Sequence, residues 1–343
     1  MGVKDIWKSK VNEYYAKDLK GSVDLKTGAC CADSPADYLK PMLAKVHDEV
    51  VSKFYGCGSP LPVVLEGKTV LDLGCGTGRD VVLAAALVGP EGRVIGLDMT
   101  DEQLEVANRH KAYHCEIFGL PEDVVEFRKG QIEDLSFLKD NSVDVVISNC
   151  VVNLSASKKQ VLSEVFRVLK PGGEFFFSDV FSDRRMSPEV VEDKVLLGEC
   201  LAGALYEHDF RRMVQSLGVL DIREVKRSEI PLYDSSVISK LGNVKFTSIT
   251  YRIWNLSSLE DLCEDYGQAV RYNGGVNVSP WVFELDAGHH FEASRITPVC
   301  RNTFNMLKET RFAPYFDFLG DDSVHLGKFA DCSTGVLEED CGC

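Results

Sequence analysis

Residues 71–78 read LDLGCGTG and lie between a short apolar strand predicted at 70–73 and a helix predicted over 81–87. Glycines allow the backbone of such a turn to approach a ligand closely at the N-terminus of a helix. The spacing is G-x-G-x-G, whereas dinucleotide-binding proteins have G-x-G-x-x-G. Asp72 precedes the first glycine, and a carboxylate there suits a ligand that carries positive groups better than a pyrophosphate. The stretch therefore predicts a ligand site where this strand ends.

Strands and helices alternate along the chain on both sides of this turn. The predicted strands are 70–73, 94–97, 124–127, 143–148 and 174–177, and the predicted helices are 81–87, 102–118 and 158–169. The strand at 143–148 is largely apolar, as expected for a strand covered on both faces. This alternation predicts an α/β fold with an open parallel sheet.

The rest of the chain has a different pattern and suggests three parts. A helix near 207–217 and a strand at 221–230 continue the sheet domain, whereas 244–254 alternates like a strand and 299–310 is helical. We assign 1–37 to an N-terminal segment, 38–227 to the ligand-binding domain and 228–343 to a small α+β domain. Trp254 and Trp281 are expected in its core.

Polar residues follow the other predicted strands at the edge where open α/β sheets bind ligands. Asp98 lies 20 residues after Gly78, where a carboxylate can accept both hydroxyls of a ribose, and Met99 can pack on an adenine. Residues 130–134 end the third strand, and 148–150 end the fourth. This order resembles the class I S-adenosylmethionine-dependent methyltransferases, and the resemblance implies their Rossmann-like fold, the adenine edge at 130–134 and the transferable methyl group facing 148–150. The candidate cofactor-binding residues are Asp72, Gly74, Gly76, Asp98, Met99, Ile132, Glu133 and Asn149.

Composition excludes several classes of protein. The chain has 343 residues, enough for roughly two domains, and its 45% hydrophobic and 27% charged residues are typical of globular proteins. The net charge of −15 disfavours a nucleic-acid partner, because an acidic surface repels phosphates. No apolar run reaches the ~20 residues that span a bilayer, and the N-terminus has no apolar signal sequence. We therefore expect a cytoplasmic protein with no membrane partner.

Twelve cysteines are widely spaced, with no CxxC pair. A reducing cytosol argues against a framework of structural disulfides, and the spacing does not fit a zinc ribbon or finger. Any site that several of these cysteines share must be assembled by the fold. Cys57 lies in a loop before the glycine-rich turn and its strand. Cys150 ends the fourth strand near the cofactor, and Cys200 follows the fifth strand, where substrate caps usually lie.

The cysteine-containing segments make the chain resemble the arsenite methyltransferases along nearly its whole length. The matching stretches are 25–30, 46–50, 55–58, 71–80, 96–100, 148–154, 178–180, 198–201, 203–206 and 272–275. The cofactor motifs are shared with very many methyltransferases. The Asn-Cys and Glu-Cys pairs at 149–150 and 199–200, combined with the YGCG loop at 55–58, are far more specific.

The resemblance implies S-adenosyl-L-methionine as methyl donor, no permanent metal, and arsenite or its glutathione conjugates as substrate in arsenic detoxification. Trivalent arsenic is soft and prefers thiolates, which Cys57, Cys150 and Cys200 could supply, although glutathione could fill any one position. The arsenic lone pair then attacks the sulfonium methyl group, so no general base is required and catalysis is mostly positioning. We therefore assign no catalytic role to His47 or His208.

Methyl transfer raises arsenic to the pentavalent state, and two electrons return it to the trivalent state. A thiol pair can supply them by forming a disulfide, which a thioredoxin or glutathione system then reduces. The resemblance gives Cys30 and Cys57 this relay role, and the adjacent Cys31 leaves open which cysteine is the first relay thiol. Two other functions stay open: methylation of another small molecule, such as a sterol or quinone, and metalloid binding without catalysis.

Overall fold

The structure is a computed structural model that describes Trp7, Val11 and residues 35–329. Its strands are β1 (Thr69–Leu73), β2 (Arg93–Asp98), β3 (Val125–Lys129), β4 (Val143–Asn149), β5 (Leu169–Ser182), β6 (Leu205–Tyr206), β7 (Ile222–Ile230), β8 (Phe246–Trp254), β9 (Glu264–Asp265), β10 (Ala269–Tyr272), β11 (Val282–Asp286), β12 (His289–Glu292), β13 (Ile296–Pro298), β14 (Phe316–Leu319) and β15 (Gly327–Lys328).

The helices alternate with the first five strands and then become shorter. They are α1 (Lys40–Leu43), α2 (Asp48–Ser52), α3 (Arg79–Val88), α4 (Asp101–Phe118), α5 (Lys158–Val168), α6 (Pro188–Val191), α7 (Lys194–Gly198), α8 (Glu207–Gln215), α9 (Ser235–Leu241) and α10 (Arg301–Lys308). Single 3-10 turns occupy Asp37–Leu39, Glu122–Val124, Val152–Leu154 and Ala313–Tyr315. In the described chain, no helix is both long enough and apolar enough to cross a bilayer.

The main sheet has the strand order β3-β2-β1-β4-β5-β8-β7, with β6 paired to β5. The pairs among β1 to β5 are all parallel, and β8 is antiparallel to both β5 and β7. The predicted class I methyltransferase α/β fold is confirmed. Because β1, β2 and β4 are parallel, their carboxyl ends meet at one edge of the sheet.

Residues 246–254 lie inside the main sheet, although the sequence pattern suggested a strand of the C-terminal domain. Strand β8 pairs with β5 on one side and β7 on the other, and its residues are buried except for the partly exposed Thr247. The boundary drawn between 227 and 228 therefore falls within β7. Alternation along one strand cannot reveal which sheet the strand joins, because pairing depends on residues far away in sequence.

Two buried clusters pack on the two faces of the main sheet. One contains Val81 and Leu83 of α3, and the other contains Val161, Val165 and Val168 of α5. The apolar residues of α5 face the sheet at intervals of three or four, as in an amphipathic surface helix, whereas most residues of α3 are buried. The helices thereby hold the strand ends that carry the predicted site.

The C-terminal strands form small antiparallel sheets around a separate aromatic core. Trp254 is fully buried there as expected, but the expectation for Trp281 is wrong, since 78% of that residue is exposed. The core is tied to the main sheet by a buried charge cluster in which Glu174 of β5 pairs with Arg252 of β8 and with Arg311. Buried charges therefore connect the main sheet to the C-terminal core.

Candidate functional site

The turn 74–78 connects β1 to α3, with Gly74, Gly76 and Gly78 all in the left-handed region. Gly74 has φ +72°, and a Cβ at this position would lie 2.5 Å from both Cγ atoms of Val151. A side chain is therefore excluded by backbone conformation and by space together. The turn is thus packed closely against Val151, the residue that follows Cys150.

The turn forms one wall of a cleft of about 1000 Å³ at the carboxyl ends of the parallel strands. All eight predicted cofactor-binding residues line it, together with Cys150. The other lining residues are Val11, Lys53, Phe54, Tyr55, Cys75, Thr77, Asp80, Thr100, Gln103, Gly130, Gln131, Val151, Leu154 and Ser155. Sequence reasoning did not single out Lys53 and Phe54, although they directly precede the YGCG loop at 55–58, which could have indicated them.

Three carboxyl groups give the cleft its electrostatic character. Burial raises the pKa of Asp72 well above its usual range, and the neighbouring Asp80 and Asp98 raise it further. Burial also raises the pKa of Asp98, although its carboxylate accepts hydrogen bonds from the Gly76 and Thr100 backbone N–H groups at 2.9 and 2.8 Å. A positively charged ligand would relieve this concentration of buried acids.

One wall also carries a buried acceptor. The Oε1 atom of Gln103 is buried and accepts no hydrogen bond from any described residue. A buried polar atom of this kind is costly unless a ligand or water supplies a donor. The acidic groups and this acceptor together fit a cationic ligand with hydrogen-bond donors, such as S-adenosylmethionine.

The three cysteines singled out as arsenic ligands converge beside the cleft. Cys57 and Cys150 form a disulfide with a Cα–Cα distance of 5.9 Å, although they are 93 residues apart. Cys200 is fully buried, and its Sγ donates a hydrogen bond of 3.1 Å to the carbonyl oxygen of Cys150. The structure thus brings these three distant cysteines together at the end of β4. Cys30 lies outside the described residues.

The disulfide differs from the predicted arrangement in two respects. Arsenic can bind Cys57 and Cys150 only after this bond is reduced, because thiolates are the ligands of soft ions. The bond also joins Cys57 to Cys150, whereas the family resemblance implies Cys30 as the relay partner of Cys57. Among the described residues, no cluster of three or more His, Cys, Asp or Glu side chains could hold a metal ion.

Both cleft-side cysteines have backbone conformations that side-chain-bearing residues rarely adopt. Cys150 has φ 58° and Cys200 has φ 61°. The left-handed region costs a non-glycine residue about 1–2 kcal/mol, so the surrounding contacts must hold each cysteine in place. Strained residues of this kind cluster at functional sites.

A buried polar network supports the segment that follows Cys150. Asp179 of β5 accepts hydrogen bonds from the backbone N–H of Asn153 at 3.0 Å and from its side-chain amide at 2.7 Å. Burial raises the pKa of Asp179 to about 7. Burial lowers the pKa of Lys158 to about 8, opposed by its neighbours Asp179 and Cys200.

His47 and Cys75 do not take part in this network. The side chain of His47 caps α2 by accepting from the Glu49 N–H at 3.1 Å, and its ring stacks on His110. Cys75 is buried next to Gly96, and burial raises its pKa well above the usual range. Both residues therefore make structural contacts.

Comparisons with known proteins identify both parts of the chain. Residues 65–218 match a family model described as a methyltransferase domain, and 266–336 match the arsenite methyltransferase C-terminal domain. The arsenite methyltransferase of Aquipseudomonas alcaligenes is 51% identical over 95% of this chain and 94% of its own length. The mouse (Mus musculus) arsenite methyltransferase is 40% identical over 91% of this chain and 84% of its own length.

A solved structure is similar to the present one over most of the chain. It is the crystal structure of CrArsM, an arsenic(III) S-adenosylmethionine methyltransferase from Chlamydomonas reinhardtii. The match has a TM-score of 0.83 and 46% sequence identity, and it covers 86% of this chain and all of that chain. The relatives, the matching domains and the solved structure show, together with the cleft and the converging cysteines, that this chain belongs to the arsenite methyltransferase family.

Proposed function

We propose that this protein transfers methyl groups from S-adenosyl-L-methionine to trivalent arsenic bound by Cys150 and Cys200, with Cys57 or glutathione as the third sulfur ligand. The observation that carries the proposal is the convergence of the three cysteines beside the acidic cleft. Arsenite is the substrate named for relatives that match nearly the whole chain. The chemistry of the site agrees, because thiolates bind soft arsenic in preference to oxygen ligands.

The cleft would hold the methyl donor, which supplies a methyl group already activated on a sulfonium. Asp98 would accept from the ribose hydroxyls, and Asp72 would lie near the positive groups of the methionine part. Met99, Ile132 and Glu133 would surround the adenine. The left-handed Gly76 would allow the backbone to come close to the donor, since its Cβ position meets no protein atom nearer than 3.9 Å.

The protein contributes position rather than proton transfer. Arsenic donates its lone pair to the methyl carbon, the sulfur–carbon bond breaks, and arsenic is formally oxidised by two electrons. No proton leaves the nucleophile, so the site needs no general base. The fixed backbones of Cys150 and Cys200 and the cation of Lys158 would hold the thiolates next to the cleft.

We further propose that the disulfide between Cys57 and Cys150 is an oxidised form in a redox relay that also uses Cys30. Pentavalent arsenic would accept two electrons from two thiolates, which then form a disulfide. A thioredoxin- or glutathione-type reductant would return two electrons and two protons to the disulfide. The physiological role would be arsenic detoxification.

A methylation assay tests the proposal. The protein is incubated with arsenite, labelled S-adenosylmethionine and a thiol reductant, and the arsenic species are separated. Labelled methylarsenicals that appear only with the reductant would support the enzyme and the relay. Arsenite binding without label transfer would instead indicate a metalloid-binding protein. Label on another small molecule in a cell extract, with none on arsenic, would indicate a different methyltransferase.

A further inference from the structure

The loop that carries Cys57 lies in a narrow space between side chains of the main sheet. A Cβ on Gly56 would come within 2.6 Å of the Asn149 amide nitrogen, and a Cβ on Gly58 within 2.6 Å of the Ser178 Cβ. Side chains at either position would push the loop away from the sheet. The two glycines on either side of Cys57 therefore allow this close approach.

Asn149 contacts the same loop with its whole side-chain amide. Its Oδ1 accepts from the N–H of Gly58 at 3.1 Å, and its Nδ2 donates to the carbonyl oxygen of Gly58 at 2.8 Å. The Nδ2 also donates to Oδ2 of Asp80 at 3.0 Å. Since a backbone N–H only donates and a carbonyl only accepts, this network determines the orientation of the amide.

These bonds use both hydrogens of the amide. An asparagine side chain has two donor hydrogens and one acceptor oxygen with two lone pairs, so a single lone pair remains for any ligand. Asn149 lines the cleft, but its hydrogen bonds are directed to the cysteine loop and to the Asp80 side chain. Its position in the sequence suggested a contact with the cofactor, whereas its hydrogen bonds favour another role.

A further hydrogen bond attaches the loop to β8. The Oγ of Ser248 on β8 donates to the carbonyl oxygen of Cys57 at 3.0 Å. Ser248 is buried and does not line the cleft. The loop is thus attached to β4 through Asn149 and to β8 through Ser248. Neither attachment involves a sulfur atom.

We propose that Asn149 is a positioning residue that, with Ser248, holds the Cys57 sulfur within reach of the Cys150 sulfur. This inference rests on the proposed function for its role in catalysis. Holding two thiols together raises their effective concentration, which favours the disulfide over the open dithiol. The same restraint would bring both sulfurs to one arsenic atom after reduction.

The equilibrium between this disulfide and dithiothreitol tests the proposal. The full-length protein is equilibrated with mixtures of reduced and oxidised dithiothreitol, without arsenic or S-adenosylmethionine, and free thiols are alkylated. Mass spectrometry then gives the oxidised fraction at Cys57 and Cys150. Asn149→Ala should lower the equilibrium constant for the disulfide by about tenfold, and Ser248→Ala should lower it by several-fold.

Matched controls remove the same kinds of side chain elsewhere. The exposed Asn108 of α4 donates to the Leu104 carbonyl oxygen, and Ser142 donates to the Lys139 carbonyl oxygen. Asn108→Ala and Ser142→Ala should leave the equilibrium constant unchanged. If Asn149→Ala also leaves it unchanged while weakening S-adenosylmethionine binding, Asn149 is a cofactor contact and the proposal is overturned.

The Ser248 variant keeps the proposal testable if Asn149→Ala does not fold. An unchanged equilibrium constant in folded Ser248→Ala would then overturn the proposal. The measurement contains no substrate, so its outcome is separate from the methylation assay. A wild-type protein that does not methylate arsenite would refute the proposed function, whereas the thiol equilibrium would still test the positioning role.

Discussion

Replacing Gly74 with alanine should destabilise the protein through two separable effects. The residue has φ +72°, which costs a residue with a Cβ about 1–2 kcal/mol. The new Cβ would also lie 2.5 Å from two methyl carbons of Val151, and such overpacking typically costs about 1–3 kcal/mol. We therefore expect Gly74→Ala to lower the free energy of unfolding by about 2–5 kcal/mol.

A double-mutant cycle separates the two effects. In urea denaturation, Val151→Ala removes the two contacts at 2.5 Å but keeps the Cβ of residue 151 at 2.9 Å, so in the Gly74→Ala background it should recover only part of the about 1–3 kcal/mol overpacking cost, relative to additivity. Gly67 provides the matched control, because it has φ +68° but no atom within 4 Å of its Cβ position. Gly67→Ala should cost only the conformational part, about 1–2 kcal/mol. Additive effects of the Gly74 and Val151 variants would refute the packing argument.

Three further predictions concern the thiols and the buried charges. Cys200→Ser should abolish arsenite methylation and leave S-adenosylmethionine binding within about twofold, measured by radiometric assay and calorimetry; full turnover would disprove its role as a ligand. The raised pKa of Asp179, about 7, means that the folded state retains a proton that the unfolded state loses near pH 4. The stability that this group contributes is therefore lost as the pH rises from about 4 to 7. In urea denaturation between pH 5 and 8, Asp179→Asn should reduce the fall of the free energy of unfolding with pH. An equal fall in the wild-type protein and the variant would contradict the raised pKa of Asp179. Arg311→Met leaves part of buried Glu174 uncompensated and should cost about 3–5 kcal/mol, whereas Arg271→Met in an exposed pair should cost less than about 1 kcal/mol; equal costs would refute the distinction.

The cofactor half of the candidate site could be predicted from the sequence because its signals are local. The glycine-rich turn follows β1 directly, Asp98 and Asn149 are the last residues of β2 and β4, and parallel strands end at one edge of a sheet. Their position in the cleft therefore required only the order of strands and helices. The hydrogen-bonding duties of Asn149 could not be predicted, because its partner Gly58 lies 91 residues earlier in the chain.

The thiol half depended on a family resemblance, since no cysteine spacing indicated which thiols would meet. The resemblance implied Cys57, Cys150 and Cys200, but the structure additionally joined two of them in a disulfide. No signal in the sequence indicated that Lys158 would lie near Cys200. Such contacts join segments that are far apart in sequence, so they leave no periodic pattern in the chain.

By itself, the sequence determined the α/β class and the acidic ligand site after β1 and β2, because short-range periodicity and turn chemistry specify both. Only the tertiary structure decided that β8 lies in the main sheet and that a cysteine loop packs against Asn149 and Ser248. Strand pairing and side-chain hydrogen bonds between remote segments depend on the complete fold. The disulfide partner of Cys57 belongs to this second class, because distance in space rather than spacing in sequence decides which sulfurs meet.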